Sequence, residues 1–310
     1  MRGAFVRTLV ELAEEDERIV LLTADLGFTV VEPFAERFPS RFFNVGVAEQ
    51  NMVGVATGLA DAGYVPYVYS IATFATLRPY EFIRNGPVHQ RLPVRVVGVG
   101  GGFDYGTNGP SHHALEDLAV MRAQPGMTVI APADFEQASA ALRAAHHLAA
   151  PVYFRLGKDD SSRVTGLEGR FRLGRAETIG SGGDVLLVTT GSIARNAVAA
   201  AGALAAIGID ATVVVAASVS PPPADDLAEA LERFDAAVSI EAHYVNGGLG
   251  SLVCEVAAEH GLPCRVARCG VRELEPGRSG SEEYLNETHG LSVDRLVATC
   301  TTLVSVRERL

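Results

Sequence analysis

The sequence predicts an α/β protein built from two doubly wound, mostly parallel sheets. Three observations lead to this fold class. The chain has 310 residues and is 48% hydrophobic, which is enough for two buried cores. Short β-rich apolar runs alternate with helical patterns along its whole length. One polar, glycine-rich stretch interrupts that alternation near the middle, where a domain boundary is expected.

The predicted sheets are defined by apolar runs, most of which have the composition of buried strands. They are RIVLLTAD, VPYVYS, VRVVGVG, MTVIAPAD, PVYFRL, DVLLVTTG, DATVVVA, AAVSIEA and PCRVARCG. Helical patterns such as EQNMVGVATGLADAG and FEQASAALRAAHHLAA lie between them. Strands separated by helices are typical of parallel sheets covered on both faces. The alanine-rich tract 197–219 contains Asp210, so it predicts a buried helix followed by a strand and no membrane span.

The interrupting segment sets the domain boundaries. Its sequence is GKDDSSRVTGLEGRFRLGRAETIGSGG, which has neither a helical nor a strand period. We therefore predict a first domain over residues 1–160, a linker over 161–180 and a second domain over 181–310.

Charge and cysteine content exclude several classes of protein. The formal net charge is -11 and no basic patch stands out, which argues against nucleic acid as a partner. Acidic residues occur too early for a signal peptide. The 4 cysteines form no C-x-x-C pair. These features predict a cytoplasmic protein with free thiols and no membrane contact.

Candidate site residues follow several predicted strands. Asp25 comes at the end of the first strand, Phe74 lies just past another, and a glycine-rich loop ends at His112. Ligands of doubly wound sheets bind outside the carboxyl ends of the strands, so these loops are expected to converge. Glu49 opens an apolar helix nearby. Its simpler interpretation is a first-turn carboxylate that favours the helix N-terminus.

The glycine-rich loop GVGGGFDYGTNGPSHH matches no common nucleotide motif. It fits neither G-x-G-x-x-G nor the P-loop pattern. The adjacent histidines have no Glu or Cys at ligand spacing, so we predict no metal site on this chain.

Several motifs together resemble a known family. NVGVAEQNMVGVATGLA, YSIATFATLRPYEF, GTNGPSHHALEDLAVMRAQPGMTVIAPAD and PVYFRLGK resemble the pyrimidine-binding domain of transketolases. LVTTGSIARNAVAAA and EAHYVNGGLGSLVCEVAAEHG resemble the transketolase C-terminal domain. The resemblance covers essentially the whole chain, in the family's order. Deoxyxylulose-phosphate synthases and pyruvate dehydrogenase beta subunits share this layout.

The resemblance implies thiamine diphosphate as the cofactor. Glu49 matches the family's buried glutamate, which hydrogen-bonds N1′ of the aminopyrimidine and promotes loss of the proton from the thiazolium ring. Phe74 matches the residue that stacks on the pyrimidine, and Asp25 is expected near the cofactor. Glu49 and His112 are the implied catalytic residues.

Substrate-binding residues follow from the same resemblance. His112 matches the histidine that contacts the hydroxyl and carbonyl region of the donor. Arg2 and Arg155 match arginines that hold a sugar phosphate, a task suited to the guanidinium fork. Thr29 is a further candidate for that phosphate. For both arginines, surface solvation is the simpler alternative.

Two positions depart from the transketolase pattern. Asn108 replaces the usual aspartate four residues before the histidine, where it is the expected substrate-binding residue. Gly100 replaces a phosphate-contacting histidine and is expected to open space. Both departures concern the substrate and leave the cofactor chemistry intact.

The domain that binds the diphosphate and its metal has no counterpart here. Its G-D-G motif with a later Asn is not found, the nearest string being GGDV at 182–185. The resemblance therefore implies the C-terminal subunit of a split transketolase, active only with an N-terminal subunit that binds the diphosphate through Mg²⁺ or Ca²⁺. An α2β2 heterotetramer is expected.

The implied reaction is transfer of a two-carbon ketol unit from a ketose, with phosphorylated sugars as the first expectation. The alternatives are the beta subunit of a 2-oxo-acid decarboxylating enzyme and a carboligase like deoxyxylulose-phosphate synthase. A non-catalytic assembly or regulatory subunit is a third. The joint presence of Glu49, Phe74 and His112 argues against that last alternative.

Overall fold

Strands and helices alternate throughout residues 1–305, the part of the chain that the computed structural model describes. The strands are β1 (Ile19–Thr23), β2 (Phe42–Asn44), β3 (Val65–Ile71), β4 (Arg95–Val99), β5 (Thr128–Ile130), β6 (Val152–Leu156), β7 (Glu177–Ile179), β8 (Val185–Thr189), β9 (Ala211–Val215), β10 (Ser218–Ser220), β11 (Ala236–Tyr244) and β12 (Arg265–Val271). The α-helices are α1 (Arg2–Glu15), α2 (Glu32–Arg37), α3 (Glu49–Asp61), α4 (Ala72–Leu77), α5 (Tyr80–Ile83), α6 (Asp117–Arg122), α7 (Phe135–His146), α8 (Ala194–Ala205), α9 (Ala224–Glu232), α10 (Leu249–Glu259), α11 (Glu282–Thr288) and α12 (Val293–Ser305).

The first sheet has seven strands in the order β10-β5-β6-β4-β3-β1-β2. Its strands are parallel except β10, which runs antiparallel to β5. Every residue of the central strands β1, β4 and β6 is buried, because helices cover both faces. One face packs against α1 and α7, and the other packs against α3.

The second sheet has five strands in the order β12-β11-β8-β9-β7. Only the edge strand β7 is antiparallel to its neighbour. The predicted fold class, two α/β domains with mostly parallel sheets, is therefore confirmed. All 4 cysteines are free thiols. No helix within residues 1–305 is both long and apolar enough to cross a membrane.

The two sheets are joined by more than the linker. Strand β10 follows β9 of the second sheet in the chain, yet it completes the edge of the first sheet beside β5. The backbone N–H of Ala131 also donates to the carbonyl of Ala217 at 2.8 Å. Leu186 and Leu249 of the second domain belong to the same buried cluster as Met52 of α3. The domains therefore share a hydrophobic core and hold the site loops in a fixed relation.

Candidate active site

A buried carboxylate opens α3, next to the carboxyl ends of the first sheet. Glu49 is 2% exposed, and the helix behind it buries Met52 and Val53 in the core. The hydroxyl of Ser70, from β3, donates to Glu49 Oε1 at 3.1 Å. The guanidinium of Arg78 donates to Oε2 at 2.8 Å. Each carboxylate oxygen thus has a hydrogen-bond donor, and the buried negative charge has a cationic partner.

Arg78 also covers an aromatic ring. Its Cζ lies 3.8 Å from the ring centroid of Phe74, which α4 presents on the preceding turn. A guanidinium in this position makes a cation–π contact while it pairs with the carboxylate. Glu49 and Phe74, both predicted to contact one cofactor ring, are therefore joined by a single side chain. Arg78 is not among the residues predicted from the sequence, although it lies within a motif used for the resemblance.

His112 completes this group. Its ring centroid is 5.0 Å from that of Phe74, in an edge-to-face arrangement. The hydroxyl of Ser111 lies 3.0 Å from Nδ1 and orients the ring. Burial, the nearby Arg78 guanidinium and His113 all lower the pKa of His112. The neutral imidazole, which can both accept and donate a proton, is thereby favoured. The structure thus brings three predicted residues together.

Asp25 and Thr29 lie in the exposed loop after β1. Both have positive φ angles, 55° and 67°. The Asn44 amide donates to Asp25 Oδ1 at 2.9 Å, and the Asp25 N–H donates back to Asn44 Oδ1 at 3.0 Å. Asn44 begins the segment that leads to Glu49, so Asp25 anchors the approach to the site. The cofactor contact of Asp25 and the phosphate contact of Thr29 remain predictions.

Tyr105 fills the space that Gly100 was expected to open. A Cβ at Gly100 would lie 2.1 Å from Tyr105 Cε2, and the glycine has a φ of 81°. That expectation was wrong, because the ring packs directly on the glycine backbone. The Arg2 guanidinium lies near Tyr105 and opposes the rise that burial gives to the pKa of the Tyr105 hydroxyl, and the Lys158 ammonium lies 4.4 Å from the ring centroid. Its ring is 6.3 Å from that of His112. Two cations therefore lie close to an aromatic ring that neighbours His112.

Arg155 lies in the domain interface instead of on the open cleft. It is 5% exposed, and its Nε lies 2.9 Å from the carboxylate of Asp117, which is 1% exposed. Its Nη2 donates to the carbonyls of Ala114 and Ala242, each at 2.8 Å. Tyr153 donates to the same carboxylate at 2.6 Å. These contacts favour a structural role between the two domains, and phosphate binding by Arg155 stays a prediction.

Asn108 is exposed at the tip of the glycine-rich loop. The Thr107 hydroxyl lies 3.5 Å from its Oδ1, within the same turn. Its contact with a substrate therefore remains a prediction. Within residues 1–305, no three His, Cys, Asp or Glu side chains gather as a set of metal ligands.

Two ionisable groups are buried in β11 behind Arg155. Glu241 accepts hydrogen bonds from two backbone N–H groups at the start of α10, at 2.7 and 2.8 Å. Burial nevertheless raises the pKa of Glu241 to about 7. Burial lowers the pKa of His243 to about 4. The His243 Nδ1–H donates to the Tyr244 carbonyl at 2.6 Å and Nε2 accepts from the Ala119 N–H at 3.3 Å, which fixes the neutral tautomer.

Comparison with family models explains this arrangement. Residues 1–162 match the transketolase pyrimidine binding domain, and residues 174–296 match the transketolase C-terminal domain. The chain belongs to the transketolase family. The resemblance inferred from the sequence motifs is confirmed.

Several transketolase relatives have nearly the same length as this chain. A putative transketolase C-terminal section from Methanocaldococcus jannaschii is 37% identical, with 94% of this chain and 92% of the relative covered. A 6-deoxy-6-sulfo-D-fructose transketolase subunit from a Clostridium species is also 37% identical, with 96% and 92% covered. One subunit of an apulose-4-phosphate transketolase from Actinobacillus succinogenes is 31% identical, with 96% of each covered. This transketolase chain therefore corresponds to a subunit of the split form.

Solved structures give the same result. A split-gene transketolase, described as an inactive beta4 tetramer, superimposes with a TM-score of 0.87 at 39% identity, covering 98% of this chain and 97% of that one. Transketolase from Leishmania mexicana superimposes with a TM-score of 0.83 over 98% of this chain and 45% of its own length. At 21% identity, that second likeness shows the shared fold alone.

Thiamine diphosphate is the cofactor of this family, and the residues present fit its pyrimidine ring. The ring needs a flat apolar surface and a buried carboxylate beside it. Phe74 and Glu49 supply these, and the Arg78 guanidinium demonstrates that one flat N–H donor can contact both. The chemistry of the site therefore agrees with the family.

Proposed function

We propose that this chain is the pyrimidine-binding subunit of a two-subunit transketolase that moves a two-carbon ketol unit from a ketose to an acceptor. The observation that carries the proposal is the grouping of Glu49, Phe74 and His112 at the carboxyl edge of the first sheet. When bound, thiamine diphosphate supplies the carbon nucleophile of the reaction.

Each grouped side chain has one role. Glu49 would hold the aminopyrimidine through a hydrogen bond and share a proton with it, and the carboxylate itself is only 2% exposed. Phe74 fixes the plane of the ring by stacking. His112, kept neutral at ordinary pH, holds a donor hydroxyl and moves its proton.

The charged end of a substrate fits the surroundings of Tyr105. Arg2 and Lys158 flank that ring, and the buried Nε of Arg2 has no hydrogen-bond partner among the described residues. A phosphate or another sugar anion there would satisfy it by a charge-assisted hydrogen bond. Arg2 therefore remains our candidate for this group, joined by Lys158.

A partner subunit supplies the diphosphate and metal site in this proposal. The similar relatives are described as a section or as subunits, and the solved split-gene relative is inactive as a beta4 assembly. We propose an α2β2 heterotetramer in which the partner binds the diphosphate through Mg²⁺ or Ca²⁺. The interior of a cell, where free cysteines persist, suits this protein.

The substrate is proposed to differ from common pentose phosphates. Asn108 replaces the family's aspartate with an amide, which exchanges one acceptor oxygen for a donor. Similar relatives are described as transketolase subunits for a sulfofructose and for apulose 4-phosphate. An unusual ketose is the expected donor.

Reconstitution tests the proposal. The chain is mixed with its N-terminal subunit, thiamine diphosphate and Mg²⁺, and ketose consumption with an aldehyde acceptor is measured across a panel of phosphorylated and sulfonated ketoses. Turnover by the pair and none by the single chain is expected. Turnover of pyruvate in place of every ketose would instead support a 2-oxo-acid decarboxylase. Turnover by the single chain would refute the need for a partner.

A further inference from the structure

The Arg78 guanidinium makes two contacts at once. In the ion pair that it forms with Glu49, only the carboxylate is buried. The guanidinium pairs with Glu49 Oε2 at 2.8 Å and stacks on Phe74 at 3.8 Å. Arg78 is 43% exposed, whereas Glu49 is 2% exposed. Arg78 also lines a cavity of about 620 Å³ that extends over Glu49 and the residues around the start of α3. The guanidinium can therefore leave toward solvent, but the carboxylate cannot.

A guanidinium and an aminopyrimidine share their recognition chemistry. Both are flat, both present N–H donors in one plane, and both stack on an aromatic face. We propose that Arg78 occupies the pyrimidine site as an internal ligand, and that the cofactor's aminopyrimidine must displace it. This inference rests on the proposed function, because it assigns Glu49 and Phe74 to the cofactor ring.

The pairing has a physical reason in the cofactor-free chain. A buried carboxylate without a cationic partner carries a large desolvation cost, which Arg78 offsets. The arginine follows the last residue of α4 and precedes α5, so its long side chain can swing outward without disturbing a helix interior. An exposed guanidinium is well solvated, so its release costs little. Arg78 therefore keeps the empty pocket ordered and lowers the apparent affinity for the cofactor ring.

The expected effect on affinity for the aminopyrimidine ring follows from the fraction of molecules in which Arg78 occupies the site. Apparent affinity falls in proportion to the fraction of molecules whose site is free. If Arg78 occupies the site in about nine molecules of ten, removing it tightens binding about tenfold, or about 1.4 kcal/mol. Arg78→Lys keeps the charge and loses the flat fork, so an intermediate affinity is expected.

The test uses a small probe and the full chain. The probe is 4-amino-2,5-dimethylpyrimidine, which carries the ring and lacks the diphosphate, and its dissociation constant is measured by calorimetry. Arg78→Ala should bind it about tenfold more tightly than the unmodified chain. Arg84→Ala is the matched control, since the exposed Arg84 side chain hydrogen-bonds only Asn85 among the described residues; it should bind like the unmodified chain. Glu49→Gln should abolish binding in either background.

A second measurement is made on the unmodified chain, and the Arg78→Ala variant is needed only to assign one signal. Arginine side-chain ¹⁵N resonances are followed as the probe is added, and the signal of the carboxylate-paired Arg78 guanidinium, assigned by its loss in Arg78→Ala, should move to the position of a solvated arginine. Equal or weaker probe binding by Arg78→Ala, with an unmoved Arg78 signal, would overturn the inference. Absence of probe binding in every variant would overturn it as well. The proposed function is judged separately, by ketose turnover of the reconstituted pair.

Discussion

Replacing Arg155 by alanine distinguishes a structural role from phosphate binding. The substitution leaves the Asp117 carboxylate, 1% exposed, without its cationic partner at 2.9 Å. It also removes the donor shared by the carbonyls of Ala114 and Ala242, which belong to different domains. Breaking a buried ion pair by removing one partner costs about 3–5 kcal/mol. We expect the free energy of unfolding to fall by that amount.

The assay combines unfolding with kinetics. Urea unfolding of Arg155→Ala and of the charge-free double variant Arg155→Met/Asp117→Asn gives the free energies. The double variant should recover much of the loss, because neither partner is left charged. Michaelis constants of the reconstituted pair for a phosphorylated and an unphosphorylated ketose should change together. Unchanged stability, within about 0.5 kcal/mol, with a higher Michaelis constant for the phosphorylated ketose alone, would refute the reasoning and support the phosphate role.

Three further predictions concern other positions. Glu49→Gln should lower turnover by about 10²–10⁴-fold and slow hydrogen–deuterium exchange at the cofactor's C2, measured by NMR; unchanged exchange would mean that another carboxylate acts. The pKa of His243 is lowered to about 4, so His243 in the unfolded chain binds a proton first and its contribution to the free energy of unfolding should decline as pH falls from about 6.5 to 4, opposite in sign to the contribution of Glu241, whose pKa is raised to about 7. His243→Asn should remove the His243 contribution, so in urea titrations the free energy of unfolding of the variant, relative to that of the unmodified chain, should rise as pH falls; equal pH slopes for the two would contradict the assignment. Gly100→Ala should destabilise the chain by a clash with Tyr105 and strain at positive φ, and Tyr105→Ala should rescue most of the loss in thermal melts; failure of rescue would show that backbone strain alone matters.

The sequence predicted the long strands well and most of the short ones poorly. All nine apolar runs became strands, since a buried parallel strand must be continuously apolar. Strands β2, β7 and β10 were not predicted, because each has only three residues and too few positions to show a period. These three strands form by pairing with strands that are adjacent in the sheet and distant in the sequence.

Site prediction succeeded where a motif carried the residue type and failed where a contact depended on tertiary structure. Glu49, Phe74 and His112 were selected from motifs, and they lie together. Nothing local indicates that Arg78 reaches back to Glu49, 29 positions earlier. Likewise, Gly100 alone could not reveal that Tyr105 folds onto it.

The placement of β10 has a consequence for how the chain can be divided. A strand from the second half completes the first sheet, so the first half on its own lacks its edge strand and the second half carries a strand without its partner. Residues 1–160 alone would expose β5 to pairing with other chains, which favours aggregation. A single proteolytic nick within 161–176 should instead leave one particle, its two fragments bound through β5 and β10 and the common core. Two co-expressed fragments cut there should therefore assemble spontaneously, so this polypeptide can tolerate a further break in its gene.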